Sequence, residues 1–464
     1  MKNRVYLSEE ELLSKGQELL GKTLYDLHGE LSKEVYEGKG GLGNKVEEIH
    51  YQIENNNKQK PDVENLNIEI KTNPLKKLLK GKIVPKERVV LGMIDFSSIV
   101  NETFETSSYL KKNRFILYNM YLDDRVSNDY NHKFLLIDII KLNKEDLDII
   151  ERDWNTIKQK AENLIADELS QSDTDYLAAV TKGAKNQIPQ PYYVGNKTAK
   201  AKRRAFAYKA SYINHILKDY TLIRRDSRFY FEKNKISKKY FKILDSKHRA
   251  NIEDAVKEKF IPFYGLNDKV IADKFGYIDT FNRNVDKARW HWNTSLILTG
   301  KRKKNLSDYI EEFSKSGLTV KTIRVSDDNI PKEEISFRTQ DYSIDEESLW
   351  TESSLYQEVG RKFLWVVYKE SSSNSFFLEK TFFWSMSKDD LNHIELKWNQ
   401  LKSMFIKKDY RSSYFDKDSD NSFYYLKIKD NFGGKNKELK GDLVTSLSHW
   451  FRKDYVKEII DQNS

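Results

Sequence analysis

A chain that contains itself twice must fold as two related cores, and this one repeats itself in three places. Residues 144–158 (KEDLDIIERDWNTIK) recur as 388–402 (KDDLNHIELKWNQLK), with eight of fifteen positions identical and Trp398 standing 244 residues after Trp154. Leu147, Ile150, Trp154 and Ile157 share one helical face, so both copies predict the same amphipathic helix. Upstream, 105–114 matches 352–361 at an offset of 247, and each is followed by a strand-like run, 115–118 and 363–368. Further upstream, Ile68-Glu69-Ile70-Lys71-Thr72 matches Leu318-Thr319-Val320-Lys321-Thr322 at an offset of 250. Three matches in one order, with slowly drifting offsets, mean duplication with small insertions. The first copy reads as helices over 9–20, 44–54 and 144–162 and strands near 68–72, 88–95, 115–122 and 133–140. The fold class is therefore α/β, a tandem pair of mixed sheets flanked by helices. We expect one copy in 1–220, a packed connector rich in Lys, Arg, Phe and Tyr in 221–247, and the second copy in 248–464.

Composition narrows the chemistry. The 464 residues exceed what one core usually fills. Zero cysteines exclude disulfides, zinc–thiolate sites and thiol catalysis, and suit a reducing compartment. The sequence carries no apolar run of membrane-spanning length and no signal-peptide core at its start, so a cytoplasmic protein with no membrane partner is expected. Basic side chains number 80 against 71 acidic, a net charge of +9, which makes nucleic acid the polyanion to suspect. The basic clusters are 76–82, 197–204 and 301–304. The glycine-rich run 38–43 has the glycine spacing of a phosphate-binding loop, but Asn44 stands where its lysine is required, so ATP dependence is not expected. The eight histidines are scattered; Trp290-His291-Trp292 and Asn214-His215 read as packing or surface positions.

One stretch carries catalytic chemistry. In 61–71 (PDVENLNIEIK), Ile68 and Ile70 alternate with Glu69 and Lys71, so a strand sends the isoleucines into the core and the charged pair out of the other face. Asp62 lies across the 64–67 turn from them. Two hard oxygen ligands can hold Mg²⁺, which polarises a phosphate and acidifies a bound water, while the Lys71 ammonium orients that water or neutralises developing charge. The plainer reading is a solvated strand edge carrying Lys and Glu. The second copy keeps the strand and the lysine but has Thr319 for Glu69 and, at the offset of 247, Val359 for Lys112. Threonine cannot replace an anionic ligand, so the second copy is expected not to cut.

Gly43-Asn44-Lys45-Val46-Glu47, then Lys60-Pro61-Asp62, Glu69-Ile70-Lys71-Thr72 and Glu105-Thr106-Ser107 with Lys112, together resemble the MutH group of PD-(D/E)xK endonucleases. With its second, degenerate copy the chain looks most like the two-domain type IIE members of that group that cut at GATC in staphylococci and lactococci. The resemblance implies tandem restriction-endonuclease-like (PD-(D/E)xK, MutH-like) domains. It also implies that Asp62 and Glu69 bind catalytic Mg²⁺, that Lys71 serves the attacking water, and that Glu47 and Lys112 are further active-site residues. Base recognition in the family comes from a basic loop and a following helix, similar here to 181–186 with Lys182 and Lys185, and to 203–209 with Arg203, Arg204 and Lys209. A lysine or arginine reaching guanine O6 and N7 would discriminate sequence; the others would neutralise phosphate. The implied partners are double-stranded DNA carrying two GATC sites, a second chain through dimerisation on DNA, and a companion DNA methyltransferase. The expected function is a type II site-specific deoxyribonuclease whose second copy binds another site as allosteric effector. A strand-nicking repair endonuclease and a non-catalytic DNA-binding protein are the competing readings.

Overall fold

The computed structural model describes residues 4–33, 41–54, 60–78, 81–124, 127–182, 188–277, 288–339, 349–372, 375–407, 423–428, 437–439, 442–444 and 447–463. The first half of the glycine-rich run 38–43, and Lys185, lie outside them. The chain divides into two compact units, Met1–Lys239 with Ser314–Ser316, and Tyr240–Phe313 with Gly317–Ser464.

The first unit is built on β1 (Ile68–Lys77), β2 (Ile83–Pro85), β3 (Val89–Met93), β4 (Phe115–Leu122), β5 (Lys133–Lys141), β6 (Leu177–Thr181), β7 (Gln190–Val194), β8 (Lys197–Ala201), β9 (Arg204–Tyr208), β10 (Tyr220–Arg225) and β11 (Arg228–Lys233). One mixed sheet runs β2-β1-β4-β5, a second runs β3-β9-β6, and β7-β8 and β10-β11 are hairpins. Strands β1 and β4 are parallel, Glu69 opposite Ile116 and Lys71 opposite Tyr118. A parallel pair needs a crossover, and the segment between them supplies it, with β2, β3 and the helix Ser108–Asn113. The alternation read from 68–71 is realised: Ile68 and Ile70 are fully buried with Leu117, Phe134, Leu12 and Tyr51 on one face of the sheet. That leaves the opposite face to Glu69 and Lys71.

The helix Lys144–Glu162 begins and ends where its pattern places it, capped by the Asn143 side chain accepting from the Asp146 amide. Ile150, Trp154 and Ile157 are buried along it, whereas Leu147 is only half-buried and Ile149 takes part in its place. Two local readings change. The helix expected over 9–20 is Glu9–Gln17, followed by a turn into Gly21 at φ 74°. The helix expected over 44–54 is a short helix, Gly41–Lys45, that widens into one π turn, Val46–His50, closed by the Tyr51 amide on the Val46 carbonyl at 3.0 Å. The lysine- and aromatic-rich segment after 220 begins with the β10-β11 hairpin, whose two-residue turn places Asp226 and Ser227 at φ 49° and 66°. Positive φ at both central residues matches the right-handed twist of the strands.

The second unit contains β12 (Thr319–Val325), β13 (Ile335–Thr339), β14 (Lys362–Ser372), β15 (Ser375–Ser385), β16 (Tyr424–Ile428), β17 (Lys437–Leu439), β18 (Asp442–Val444) and β19 (Leu447–Phe451). Its sheets run β12-β14-β15 and β13-β19-β16, with β17-β18 a short hairpin. The pairing register repeats that of the first unit. Thr319 stands opposite Phe363 and Lys321 opposite Trp365, as Glu69 and Lys71 stand opposite Ile116 and Tyr118. Phe363 pairs with Trp384 as Ile116 pairs with Ile140. Even the second sheet repeats, Tyr424 opposite Phe451 as Leu177 is opposite Tyr208, with an irregularity in β3 and in β13 alike. Duplication therefore extends through both sheets, well beyond the three segments that announce it.

One detail of the internal alignment is corrected. Ser107 caps the helix Ser108–Asn113, and its counterpart cap is Ser353, before the helix Ser354–Val359. The helices are thus offset by one residue less than the strands that follow, and Gly360 takes up the difference. On this register buried Val359 matches buried Asn113, and the residue at the Lys112 position is Glu358.

Candidate active site

The local fold of 62–71 follows from backbone pairing. Val63 and Ile68 bridge each other through hydrogen bonds of 2.9 and 3.3 Å, and Asn67 closes the tight turn between them in the left-handed region at φ 54°. Asparagine tolerates that conformation better than most residues. The turn carries Asp62 back beside β1, where its Oδ2 accepts from the Ile70 amide at 2.9 Å. One carboxylate oxygen is thereby spent on orientation, leaving Oδ1 for other work.

Glu69 is 1% exposed. Its Oε1 accepts from the Lys71 ammonium and lies 3.4 Å from Lys112 Nζ, while its Oε2 is buried without a hydrogen-bond partner. Lys112 reaches the site from the helix Ser108–Asn113, which is fixed by its Ser107 cap and by Tyr109, whose hydroxyl meets that of Tyr208 on β9 at 3.0 Å. Glu47 comes from the π turn, and its charged neighbours are Asp62, Lys71, Glu69 and Lys112. The five residues Glu47, Asp62, Glu69, Lys71 and Lys112 thus converge, although they arrive from four separate segments.

The electrostatics are those of crowded anions. Burial, then the field of Asp62, pushes the Glu47 carboxyl up to about 8. Burial also pushes Glu69 up to about 7, against the pull of Lys71 and with Asp62 adding to the rise. Burial alone would lower Lys71, but Glu69, Asp62 and Glu47 outweigh it and hold the ammonium above its ordinary range. Lys71 is therefore a cationic donor here and a poor base. Two hard carboxylates, a buried oxygen without a partner and raised acid pKa values fit a divalent cation, whose charge would relieve the crowding. Among the described residues no three such side chains close around one point as a finished cage. A cation seated on Asp62 and Glu69 would fill its remaining positions with water and phosphate oxygen, as Mg²⁺ commonly does.

The equivalent place in the second unit is built differently. Lys321 Nζ donates to the Ser336 carbonyl at 3.1 Å and lies 4.1 Å above the Phe337 ring. Thr319 occupies the Glu69 position, and Glu312, the nearest acid before β12 in sequence, is buried and accepts from the Ile243 and Leu244 amides.

The expected DNA-contact residues divide. Lys182 is half-buried at the end of β6, with its amide donating to the Arg203 carbonyl at 2.9 Å, and Arg203 is exposed beside it. Lys185 lies outside the described residues. Arg204 is 7% exposed, its guanidinium donating to the carbonyls of Ala179 and Asp167 at 3.2 and 3.0 Å. Lys209 is buried and donates to the Thr174 carbonyl. These two brace the second sheet and do not present their charged ends to solvent. Charge alone could not reveal this, because the carbonyls that hold them lie more than twenty residues away in sequence.

Other supporting residues gave no signal in the sequence. Asp153 accepts from the amides of Asp175, Tyr176 and Leu177 at 2.7, 2.6 and 2.8 Å, tying the long helix to the start of β6. His50 is fully buried at the end of the π turn and kept neutral, burial pushing it down to about 4. Its Nε2–H donates to the Lys15 carbonyl at 2.7 Å, so its Nδ1 accepts from His28 Nε2 at 3.1 Å. Tyr51 adds a hydrogen bond to Asn119 on β4 at 2.7 Å. Together these anchor the turn that delivers Glu47.

Comparison with known proteins gives two matches. Residues 51–153, which span Asp62, Glu69, Lys71 and Lys112, match the family described as DNA mismatch repair enzyme MutH. The chain is also 30% identical over 400 residues to the type II restriction enzyme Sau3AI of Staphylococcus aureus, covering 83% of this chain and 78% of that protein. On the strength of that similarity and the MutH-like core, the chain belongs to the MutH-like family of type II restriction endonucleases.

Proposed function

We propose that the first unit is a Mg²⁺-dependent endonuclease that hydrolyses both strands of duplex DNA at GATC, and that the second unit binds another GATC duplex as an effector. The observation that carries this reading is the inequality between two units of one register: where the first has Glu69, the second has Thr319. Asp62 and Glu69 would hold Mg²⁺, which when bound polarises the scissile phosphate and acidifies an attacking water. Glu47 is the carboxylate left over from holding the cation; its carboxyl, pushed up to about 8, would lose its proton when the cation's charge arrives and could then take the proton of that water. Lys71 remains protonated and neutralises charge on the phosphate, while Lys112 holds Glu69 toward its anionic form. Lys182, Lys185 and Arg203 are the proposed DNA contacts, with Arg204 and Lys209 positioning their strands.

A palindrome needs two cuts and the described residues of one chain offer one such carboxylate set, so the reading includes dimerisation on DNA. Coupling to the second unit counts as allosteric only if effector DNA shifts the active population. A companion methyltransferase in the same cytoplasm would protect the host's own sites. The test is a supercoiled plasmid carrying one or two GATC sites, incubated with Mg²⁺. Linear product, formed faster from two sites than from one, is expected. Glu69→Ala should bind without cutting, and Thr319→Ala should still cut. Nicked circles as the end product would mean a nickase; retardation without cleavage would mean a binding protein. Either result overturns the proposal.

A further inference from the structure

Residues 220–239 hold seven basic side chains against Asp226 and Glu232, a net +5 out of the +9 carried by all 464 residues. The β10-β11 hairpin makes up most of this segment. A basic run is ordinarily a solvated face. This one differs in being held as a ribbon on the catalytic sheet. Tyr220 donates through its hydroxyl to Asp138 at 2.6 Å, and Lys233 pairs with the same carboxylate at 3.0 Å. Lys133 on β5 lies 5.8 Å from the Phe229 ring. Asp138 pairs with Tyr118, which pairs with Lys71, so the base of the hairpin is tied to the row of the sheet that contains the catalytic lysine. Two strand spacings separate the two rows' ends, about 10 Å, and residues paired across strands point to one face. The anchor therefore projects from the same face as Glu69 and Lys71.

The outer part of the segment is open. Arg224, Arg225, Lys235 and Lys239 are exposed, and Arg225 is 3.9 Å from Glu232. Arg224, Lys235 and Lys239 have no partner among the described residues. One uncompensated cation on the ribbon, Arg224, and two just beyond the ribbon's end at Lys233, namely Lys235 and Lys239, beside a site that must accept a duplex, fit contacts to phosphates.

We propose that this hairpin and the residues just after it are a second DNA-contacting element of the first unit, gripping the sugar–phosphate backbone outside the recognition sequence. This rests on the reading of the first unit as a duplex-DNA endonuclease. The contact would add affinity without sequence information, because phosphates are alike at every base pair. It would also be steeply salt-dependent, each neutralised phosphate contributing about 0.9 to the slope of log K against log salt.

The test uses the full-length protein with Arg224→Gln, Lys235→Gln and Lys239→Gln combined, and a charge-keeping Arg224→Lys control. Binding is measured in Ca²⁺ to duplexes carrying one GATC with short or long flanks, across a salt series. The wild type should gain affinity from longer flanks. The triple variant should lose that gain and flatten the salt slope by roughly 2 to 3, with an unchanged cleavage rate at saturating DNA and an unchanged melting temperature. An unaltered slope together with an unaltered flank gain overturns the proposal. So does a slope that flattens only for duplexes without flanks. Should the wild type bind DNA without preference for GATC, the functional reading fails, but the slope on random duplex still decides the role of the hairpin.

Discussion

Replacing Glu69 by glutamine should make the metal-free protein more stable while abolishing cleavage. Glu69 is 1% exposed and its carboxyl is pushed up to about 7 by burial, in spite of Lys71 and Lys112. An acid whose pKa rises on folding binds protons in the native state more tightly than in the unfolded state. Its ionisation therefore costs stability, progressively, as pH climbs from the ordinary carboxylate range to about 7. Each pH step in that window costs about 1.4 kcal/mol, and the full window on the order of 3 kcal/mol. Glutamine has nearly the same shape and never ionises. Its amide would sit where Oε2 already lacks a hydrogen-bond partner, so that defect is common to both proteins. Glu69→Gln should thus match the wild type near pH 5 and exceed it at pH 8 by on the order of 3 kcal/mol, or roughly 6–12 °C in the melting transition of the first unit. The assay is thermal unfolding in EDTA at pH 5, 6, 7 and 8, repeated with Mg²⁺, which should raise the wild type and leave the variant unmoved. A variant that melts below the wild type at pH 8 in EDTA, or a difference independent of pH, would refute the claim that the carboxylates are held together at electrostatic cost.

Three further outcomes follow from the same geometry. Because Glu47 and Glu69 stand at about 8 and about 7 before a cation arrives, Mg²⁺ binding should release protons at pH 7 and tighten as pH rises from 6 to 8; calorimetry in buffers of different ionisation enthalpy reads the release directly. Lys112→Gln removes a cation 3.4 Å from Glu69 that holds its pKa down, so the acid side of the cleavage profile should move to higher pH, with Lys112→Arg moving it less. Asp153→Ala strips the acceptor from three buried amides and should cost about 3–5 kcal/mol in urea unfolding, with loss of exchange protection at Tyr176 and Leu177; a cost below about 1 kcal/mol would mean that the tie is dispensable.

What the sequence discloses and what it hides differ by the range of the interaction. The helix Lys144–Glu162 and strand β1 could be read because their patterns are local: Trp154 and Ile157 lie one turn apart, and Ile68 and Ile70 alternate with Glu69 and Lys71, which take the other face. The Asp62, Glu69 and Lys71 constellation is legible for the same reason, since one turn at Asn67 brings its members together. Glu47 and Lys112 have no local rule that could place them. One depends on a π turn held by His50 and Tyr51, the other on a helix whose cap, Ser107, belongs to a serine doublet repeated at Ser353-Ser354. The doublet matches at an offset of 246 (353 − 107) while the residues around it match better at 247, and the bond from the Tyr356 amide to Ser353 Oγ, like that from the Leu110 amide to Ser107 Oγ, chooses the first. Its choice puts Glu358 where the first unit has Lys112, replacing a cation by an anion, while Thr319 replaces an anion by a neutral group. The second unit therefore differs by more than the threonine at the Glu69 position, and Lys321 donates to the Ser336 carbonyl and lies over the Phe337 ring. Restoring a glutamate at Thr319 alone should consequently fail to create a second cutting centre, since Glu358 stands at the position of the partner cation and Glu312, the nearest acid before β12, is engaged by the Ile243 and Leu244 amides.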